Sequence, residues 1–528
     1  MKAKYITIFK ALSLSIVLSI MSSCVSDLDR VPYIEVTSAT VFKDPANYKP
    51  LLAKLYAGLA VSGQQGPAGK PDISGIDEGF STYLRQYFKA QELTTDEAVI
   101  GWNDGSLPSY HTMTWTSGNE FITAMYNRIY YQIGICNEYI RETTDEKLAS
   151  RGISAPEVKM YRAEARFLRA LSYYHALDMF GAVPFVTEKD AVGSFLPKQI
   201  SKADLFAYIE SELKAIDADL AEPRKNEYAR ADKAAAWTLL TKLYLNAEVY
   251  IGSGKYTDAI TYAKKVIGAG YVLESKYKNL FLADNHKSAE IIFPIAFDGT
   301  RTKTWGGMTF IVHAPVGGKM NPADFGINGG WGGLRTTQQF VDHFDDKTGN
   351  TDSRAMFFTD GQNKDVADIS SFNDGYAITK YKNVTSTGVK GSDPEGNFPD
   401  TDFPMFRLAD VYLMYAEAVL RGGTGGDLTT ATSYVNALRN RAYNGSSAGN
   451  VSTLNLDLLI RERGRELYWE CHRRTDLIRF KLFTGSTYLW AWKGGSKAGA
   501  TVSDDLKLFP IPSSDIVANP NLVQNKGY

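Results

Sequence analysis

Ala234-Ala-Ala-Trp-Thr-Leu-Leu-Thr-Lys-Leu-Tyr-Leu-Asn-Ala-Glu-Val-Tyr250 runs into Ile251-Gly-Ser-Gly-Lys255 and then Tyr256-Thr-Asp-Ala-Ile-Thr-Tyr-Ala-Lys-Lys-Val-Ile267. Ala235, Leu239 and Leu243 recur every fourth residue, and so do Ala259 and Ala263, which predicts two helices with one apolar face each. Gly252 and Gly254 break the chain between them. Small residues on both faces allow two backbones to approach closely, so the stretch reads as an antiparallel helix pair.

Working outward, the same pattern recurs. Tyr161–Phe180 carries Ala163, Phe167, Ala170, Leu171, Tyr174 and Leu177 at helical spacing, stops at Gly181 and Pro184, and pairs with Lys202–Leu220. Arg407–Leu420 pairs with Thr429–Arg441, and a fourth pair joins Tyr48–Leu59 to Phe121–Ile140. Each pair is similar to one tetratricopeptide unit. The pairs are degenerate and far apart, so the expected fold is a helical scaffold whose insertions form a second face.

The 528 residues are 44% hydrophobic, enough for a large core and too apolar for a disordered chain. With 58 basic against 59 acidic residues the formal charge is -1, which excludes the electrostatic footprint of a general nucleic-acid binder. At the amino end, Lys2, Lys4 and Lys10 precede an apolar run, Ala11 to Met21, that ends in Ser22-Ser23-Cys24. This is the layout of a secretory signal over residues 1–23, too short to span a bilayer. Cys24 after two small residues is similar to a lipobox, with Met21 where Leu is usual, so Cys24 is the expected lipid anchor of an extracytoplasmic protein. Cys136 and Cys471 are the remaining cysteines; one disulfide is open to them, and no zinc-type spacing is present.

Two long segments, Val61–Ser117 and Arg301–Phe403, are rich in Gly, Ser, Asn, Asp and aromatics, and blocks such as Gly329-Gly-Trp-Gly-Gly333 cannot be helix interiors. Loops of this length in a compact protein are usually functional. They hold Tyr83, Tyr87, Trp102, Tyr110, Trp115, Trp305 and Trp331, whereas Trp237, Trp469, Trp490 and Trp492 lie by helical segments and read as core. The six histidines are scattered, and no HExxH, GxSxG or P-loop motif occurs. A glycosidase needs only two opposed carboxylates, and a chain with 59 acids always offers some. The missing signatures favour binding over catalysis. Indole faces pack on the C–H faces of a pyranose while Asp, Asn and Arg bond its hydroxyls, so a carbohydrate suits these loops. The competing reading is that each loop Trp plugs a local core.

Several further stretches fit one family. They are Ser26-Asp-Leu-Asp29, Ala163-Glu-Ala-Arg-Phe-Leu-Arg-Ala-Leu171 with Phe180-Gly-Ala-Val-Pro184, and Arg230-Ala-Asp-Lys-Ala-Ala-Ala236. The last third adds Phe406-Arg-Leu-Ala-Asp-Val-Tyr-Leu-Met-Tyr-Ala-Glu-Ala418, Glu462-Arg-Gly-Arg-Glu-Leu467, Arg473-Arg-Thr-Asp-Leu-Ile-Arg479, Phe509-Pro-Ile-Pro512 and Gln524-Asn-Lys-Gly-Tyr528. Read on their own these are scaffold: Glu462, Arg463, Arg465 and Glu466 suit ion pairs within one helix. Together they resemble the SusD/RagB outer-membrane lipoproteins, nearest to their starch-binding branch.

The resemblance implies a mainly α fold, with four tetratricopeptide-like helix pairs (about 40–60, 121–290 and 404–441) packed against an irregular, loop-rich ligand-binding half (about 61–120 and 301–403). Residues 442–528 would pack on the scaffold, all within one domain from residue 24. It also implies a non-enzymatic role: capture of starch-like α-glucan at the cell surface and delivery to a SusC-type TonB-dependent transporter, with another glycan, or a surface glycoside hydrolase, as alternatives. Position by position, Trp102, Trp305 and Trp331 match the sugar-stacking aromatics, and Asp77 and Arg85 match the polar partners. The family's Asn lies in a loop one residue shorter here, so Asn103 or Asp104 replaces it, with Asn103 preferred. Asp284, Asp400 and Asp402 are calcium candidates by their hard oxygen ligands, against a reading as ordinary loop carboxylates.

Overall fold

Side-chain caps set the starts of five of the principal helices, and apolar stripes set their packing. The computed structural model describes residues 38–193 and 195–528, so the expected signal segment 1–23 and the anchor Cys24 lie outside the described residues. Residues 38–47 belong to a small unit of their own, with a helical turn at Ser38–Val41 and a 3-10 turn at Pro45–Asn47; residues 48–528 form the main unit.

In the main unit the helices that matter here are α1 (Tyr48–Ala60), α2 (Tyr83–Glu92), α3 (Glu120–Glu142), α4 (Glu157–Phe180), α5 (Lys202–Ala215) and α6 (Lys233–Leu245). They continue as α7 (Tyr256–Ile267), α8 (Gly307–His313), α9 (Leu408–Leu420), α10 (Leu428–Ala442), α11 (Leu456–Leu467) and α12 (Arg473–Arg479). Asn119 accepts from the Phe121 and Ile122 N–H groups at the start of α3, and Ser201, Asp232, Asp427 and Asn455 cap α5, α6, α10 and α11 in the same way. Gly181, at φ 75°, ends α4.

α6 packs on α7 as expected, with Ala235, Leu239, Leu243, Ala259 and Ala263 all buried. α4 with α5 and α9 with α10 are the other expected pairs that form. α1 touches α3, but the more extensive partner of α3 is α4, against which α1 also lies. The stretch expected as one helix to Tyr250 is interrupted at Asn246, after which a short helix, Ala247–Ile251, carries the chain into the Gly252 turn.

The strands are short and antiparallel. β1 (Val99–Ile100) pairs with β5 (Leu334–Arg335), β2 (Val183–Pro184) with β3 (Gln199–Ile200), β4 (Ile291–Ile295) with β8 (Phe403–Arg407), and β6 (Phe357–Phe358) with β7 (Ala377–Ile378). The first long insertion contains α2, a helix not expected there: its polar residues Arg85, Gln86, Lys89 and Glu92 do recur at helical spacing, but they are buried with the rest of the helix instead of facing water. Tyr83, Tyr87, Tyr110 and Trp115 are likewise core, as are Trp469 and Trp490. Cys136 and Cys471 are both buried free thiols, so no disulfide joins them.

The ion pairs expected along α11 turn out to be mainly long-range. Glu462 does bond Arg465 one turn on, at 2.6 Å, but also Arg354 and Arg439 at 2.6 Å each. Glu466 receives Arg407 at 2.7 Å, Arg354 at 3.2 Å and Arg441, while Arg407 also holds Glu470 at 2.6 Å and Glu290 at 2.9 Å. Helical spacing reports neighbours on one helix and is blind to partners delivered by β8, α10 and the loop at 354. Such buried charges are tolerated only because each is paired several times over; removal of one partner typically costs about 3–5 kcal/mol. The closing segments add strand-free packing, with Phe509 N–H donating to Met179 O at 2.8 Å and Asn525 Nδ2 to Phe180 O at 2.8 Å.

Candidate aromatic ligand site

Two staples draw the insertions together. The first is β1–β5: Ile100 pairs with Leu334, and Gly101 N–H donates to Gly333 O at 3.0 Å. Trp102, two residues beyond β1, is thereby laid against Gly333, whose missing side chain makes room for it. A Cβ on Gly333 would stand 2.4 Å from Trp102 Cε2. The 331–334 backbone rests on the end of α8, with Trp331 N–H donating to His313 O at 2.9 Å and Gly333 N–H to Ala314 O at 2.7 Å. Arg335, buried, ties this loop to the next by donating to Gly333 O at 2.8 Å, Asp374 O at 2.9 Å and Ser371 O at 2.8 Å. The outcome is a pair of indoles, Trp102 and Trp331, with centroids 6.2 Å apart and planes inclined by 45°. Phe310 meets Trp102 edge-on at 6.0 Å, and the His313 ring stacks on Trp331 at 5.0 Å.

The second staple is Glu78, a residue the sequence reading did not single out. Its buried carboxylate accepts from Ser62 Oγ and Thr304 Oγ1 at 2.6 Å each and from Trp305 N–H at 3.1 Å. Trp305 is therefore seated beside Gly79, where an added Cβ would lie 3.0 Å from its own Cβ and 3.4 Å from both Arg85 Nη1 and Asp77 Oδ1. The Trp305 ring is backed by Phe398 at 5.0 Å.

Arg85, on α2, lies between the two halves. It is only 4% exposed, sandwiched by Phe80 at 4.0 Å and Phe310 at 4.3 Å, and 5.9 Å from the Trp102 ring. Its Nη1 donates to Gly79 O at 2.9 Å and Trp305 O at 3.5 Å. Burial pulls its pKa down to about 9, against the opposing fields of Asp104, Asp77 and Glu78. The structure thus sets Arg85 beneath the aromatics, whereas its residue type alone suggests a place at their rim. Asp77 is exposed and accepts from Gly79 N–H at 2.9 Å; Asn103 and Asp104 are exposed beside Trp102, and Trp102, Trp305 and Trp331 are each half-buried.

Phe310, Phe398 and His313 back the three indoles while Phe80 packs on Arg85, and they could not be foreseen as a group, since nothing in their spacing ties them to the tryptophans. His313 bridges two loops, with Nδ1 2.7 Å from Gly329 O and Nε2 2.9 Å from Asn397 O. Burial lowers its pKa, partly countered by those two carbonyls.

The calcium candidates do not converge. Asp284 is occupied by Ser386 N–H at 2.7 Å and Ser386 Oγ at 2.8 Å, Asp400 by Gly299 N–H at 2.7 Å and Ser392 N–H at 2.6 Å, and Asp402 by Phe297 N–H at 2.7 Å and the Tyr228 hydroxyl. Burial raises the Asp402 pKa to about 6. Among the described residues no group of three or more His, Cys, Asp or Glu could hold a metal ion, since these carboxylates serve as loop acceptors.

Comparison with known proteins bears on both halves of this architecture. The sequence model of the SusD family matches residues 352–528, and one described as starch-binding, associating with outer membrane, matches residues 28–245. The chain is 37% identical to the starch-binding protein SusD of Bacteroides thetaiotaomicron, with all of both chains covered. It is 26% identical to SusD-like protein P2 of Formosa agariphila, covering 86% of this chain and 92% of that one. A solved SusD superfamily protein from Parabacteroides distasonis superposes with a TM-score of 0.70 at 20% identity, covering 94% of this chain and 100% of that one. Surface glycan-binding protein A from Bacteroides fluxus gives 0.69 at 19%, covering 92% and 100%. With its whole length aligned to one member and its helical scaffold shared by others, the chain belongs to the SusD family.

Proposed function

We propose that this chain is a cell-surface glycan-binding protein that captures starch-like α-glucan oligosaccharides and delivers them, uncleaved, to a SusC-type TonB-dependent transporter in the outer membrane. The observation that carries the reading is the meeting of Trp102 and Trp331, from separate insertions, at 6.2 Å and 45°. Inclined indoles offer successive sugar rings of a curved glucan two apolar faces that are not coplanar. Trp305 extends the surface, Asp77 and Asn103 supply acceptors and donors at its edge, and Arg85 fixes the floor on which both halves rest. Whole-length identity to a starch-binding protein supports the same ligand class. The Ser22-Ser23-Cys24 sequence supports attachment by lipid at Cys24, and the outer-membrane description of the family supports the compartment.

The test is affinity electrophoresis through a panel of polysaccharides, with wild type beside Trp102→Ala and Trp331→Ala. Retardation by starch, lost in both variants and insensitive to salt because the ligand is neutral, is the expected result. Retention by a different polysaccharide alone would change the ligand, and release of reducing ends from starch on long incubation would establish hydrolysis instead. Variants that migrate like wild type in the retarding glycan would remove the site.

A further inference from the structure

A second cleft opens beside residues 72–74 of the first insertion. It has a volume of about 520 Å³ and is lined by Asp72, Ile73 and Ser74, by Tyr126, Asn127 and Tyr130 of α3, and by Leu196, Pro197, Asp515 and Leu522. That volume falls in the range of small-ligand sites. Its polar groups are under-used. Tyr126 is 2% exposed, yet its hydroxyl has no hydrogen-bond partner at bonding geometry. It faces the Asp515 carboxylate, whose pKa burial raises. The two tyrosine rings lie 4.7 Å apart at 44°, with Tyr130 held by a 2.7 Å bond to Pro184 O. The Tyr126 hydroxyl is closed off from solvent against Asp515, so the groups a ligand meets in the cleft are the half-exposed Tyr130, Asn127 and Asp515 and the exposed Asp72.

The lining contains two carboxylates, two amides (Asn127 and Asn519) and two tyrosines but no Lys, Arg or His. It therefore repels anions and suits a neutral polyhydroxyl ligand. The cleft lies close along the chain to the polar edge of the aromatic site: Ser74, on its wall, is three residues from Asp77, so the two α-carbons are separated by at most about 11 Å. Arg128, directly after Tyr126 and Asn127, clamps the same insertion by donating from Nη2 to Ser62 O at 2.6 Å and to Ser81 Oγ at 3.1 Å.

Resting on the glycan reading above, we propose that this cleft is a second carbohydrate subsite, in which Tyr130, Asn127, Asp72 and Asp515 take sugar units of a chain already held at Trp102 and Trp331. The test is calorimetry of the whole protein with maltotriose and maltoheptaose, comparing wild type, the double variant Asn127→Ala/Asp515→Ala, and Trp331→Ala, with thermal midpoints to verify folding. The double variant should bind maltoheptaose about tenfold more weakly and maltotriose unchanged, and Trp331→Ala should weaken both. Unchanged maltoheptaose binding in the double variant, beside a responsive Trp331→Ala, would overturn the cleft alone; silence in both would overturn the aromatic site as well. Salt-dependent loss of maltoheptaose binding would also count against it, as a neutral ligand is not screened. If the double variant alone lowers the midpoint, Tyr130→Phe and Asp515→Asn, which preserve shape, carry the same comparison.

Discussion

Replacement of Gly333 by alanine addresses the aromatic pair without touching either tryptophan. The new Cβ would lie 2.4 Å from Trp102 Cε2, 2.6 Å from Cζ2 and 2.8 Å from Nε1, all in one rigid ring. Carbon atoms settle at about 3.5–4.0 Å, so the indole must retreat by more than about 1 Å. Its other neighbours, Phe310 at 6.0 Å and Trp331 at 6.2 Å, restrict that retreat, so the indole leaves its place toward solvent. The backbone has no reason to rearrange, since Gly333 is not at positive φ and its N–H and C=O stay bonded to Ala314 and Gly101. The cost to stability should be at the low end of the about 1–3 kcal/mol of overpacking, because a half-buried ring can relax. The cost to binding is one aromatic contact, about 0.5–1.5 kcal/mol, or roughly two- to twelvefold in Kd for an α-glucan. Gly329→Ala is the internal control, since a Cβ there meets nothing within 4 Å. Calorimetry with maltoheptaose, alongside tryptophan fluorescence, reads the effect. Equal affinities for the two alanine variants would refute the argument that Trp102 is placed by its fit over Gly333.

Three further outcomes are expected. Glu78→Ala removes the acceptors of Ser62, Thr304 and Trp305, so Trp305 loses its seat and α-glucan affinity falls by about three- to tenfold with folding retained, as read by calorimetry and circular dichroism. Glu466→Gln leaves Arg354, Arg407 and Arg441 short of one negative charge and should lower stability by about 3–5 kcal/mol in chemical denaturation; a loss below about 1 kcal/mol would contradict the network. Against the penalty of burial, Arg441, Arg407 and Arg354 hold Glu466 at about 2, and Arg463 and Arg479 hold Asp476 at about 2. Both folded pKa values are depressed, so the unfolded chain binds more protons at acid pH. This stability is therefore complete above the unfolded pKa values and lost as pH falls through about 2. For Glu466 the loss amounts to about 3 kcal/mol, and a thermal midpoint that stays level from pH 6 to pH 2.5 would contradict it.

How far the residues alone could be read follows from where each signal originates. Ala235, Leu239, Ala259 and Ala263 declare α6 and α7 because one side faces a partner and the other water, which imposes a period. α2 carries Arg85, Gln86, Lys89 and Glu92 at helical spacing too, but it is a ten-residue helix set inside a glycine-rich insertion, so Tyr83 and Tyr87 read as loop aromatics although they are core. The setting of Trp102, Trp305 and Trp331 in the insertions put them among the loop aromatics without separating them from Trp115, which is core, and only the resemblance to the family picked out the three. Their convergence was not recognisable, because it depends on a two-residue pairing between Val99–Ile100 and Leu334–Arg335, far below what alternation can reveal. The roles of Glu78 and of Arg85 as supports, and the many partners of Glu466, are likewise facts of three-dimensional neighbourhood that linear spacing does not encode.

The arginines of residues 463–479 have a consequence for the order in which the protein can assemble. Asp96, Asp178, Asp410 and Glu417 are all buried, and they meet Arg473, Arg474, Arg463 and Arg479 respectively. Asp410 also has Lys242 and Glu417 also has Arg421, but among the described residues Asp96 and Asp178 meet no Lys or Arg other than Arg473 and Arg474, so until residues 473–474 have been made these two acids must keep their water. The early helices can form, but a chain truncated before residue 463 leaves the surroundings of Asp96 and Asp178 without the arginines that close over them. Completion of the polypeptide and locking of its framework thus become a single event.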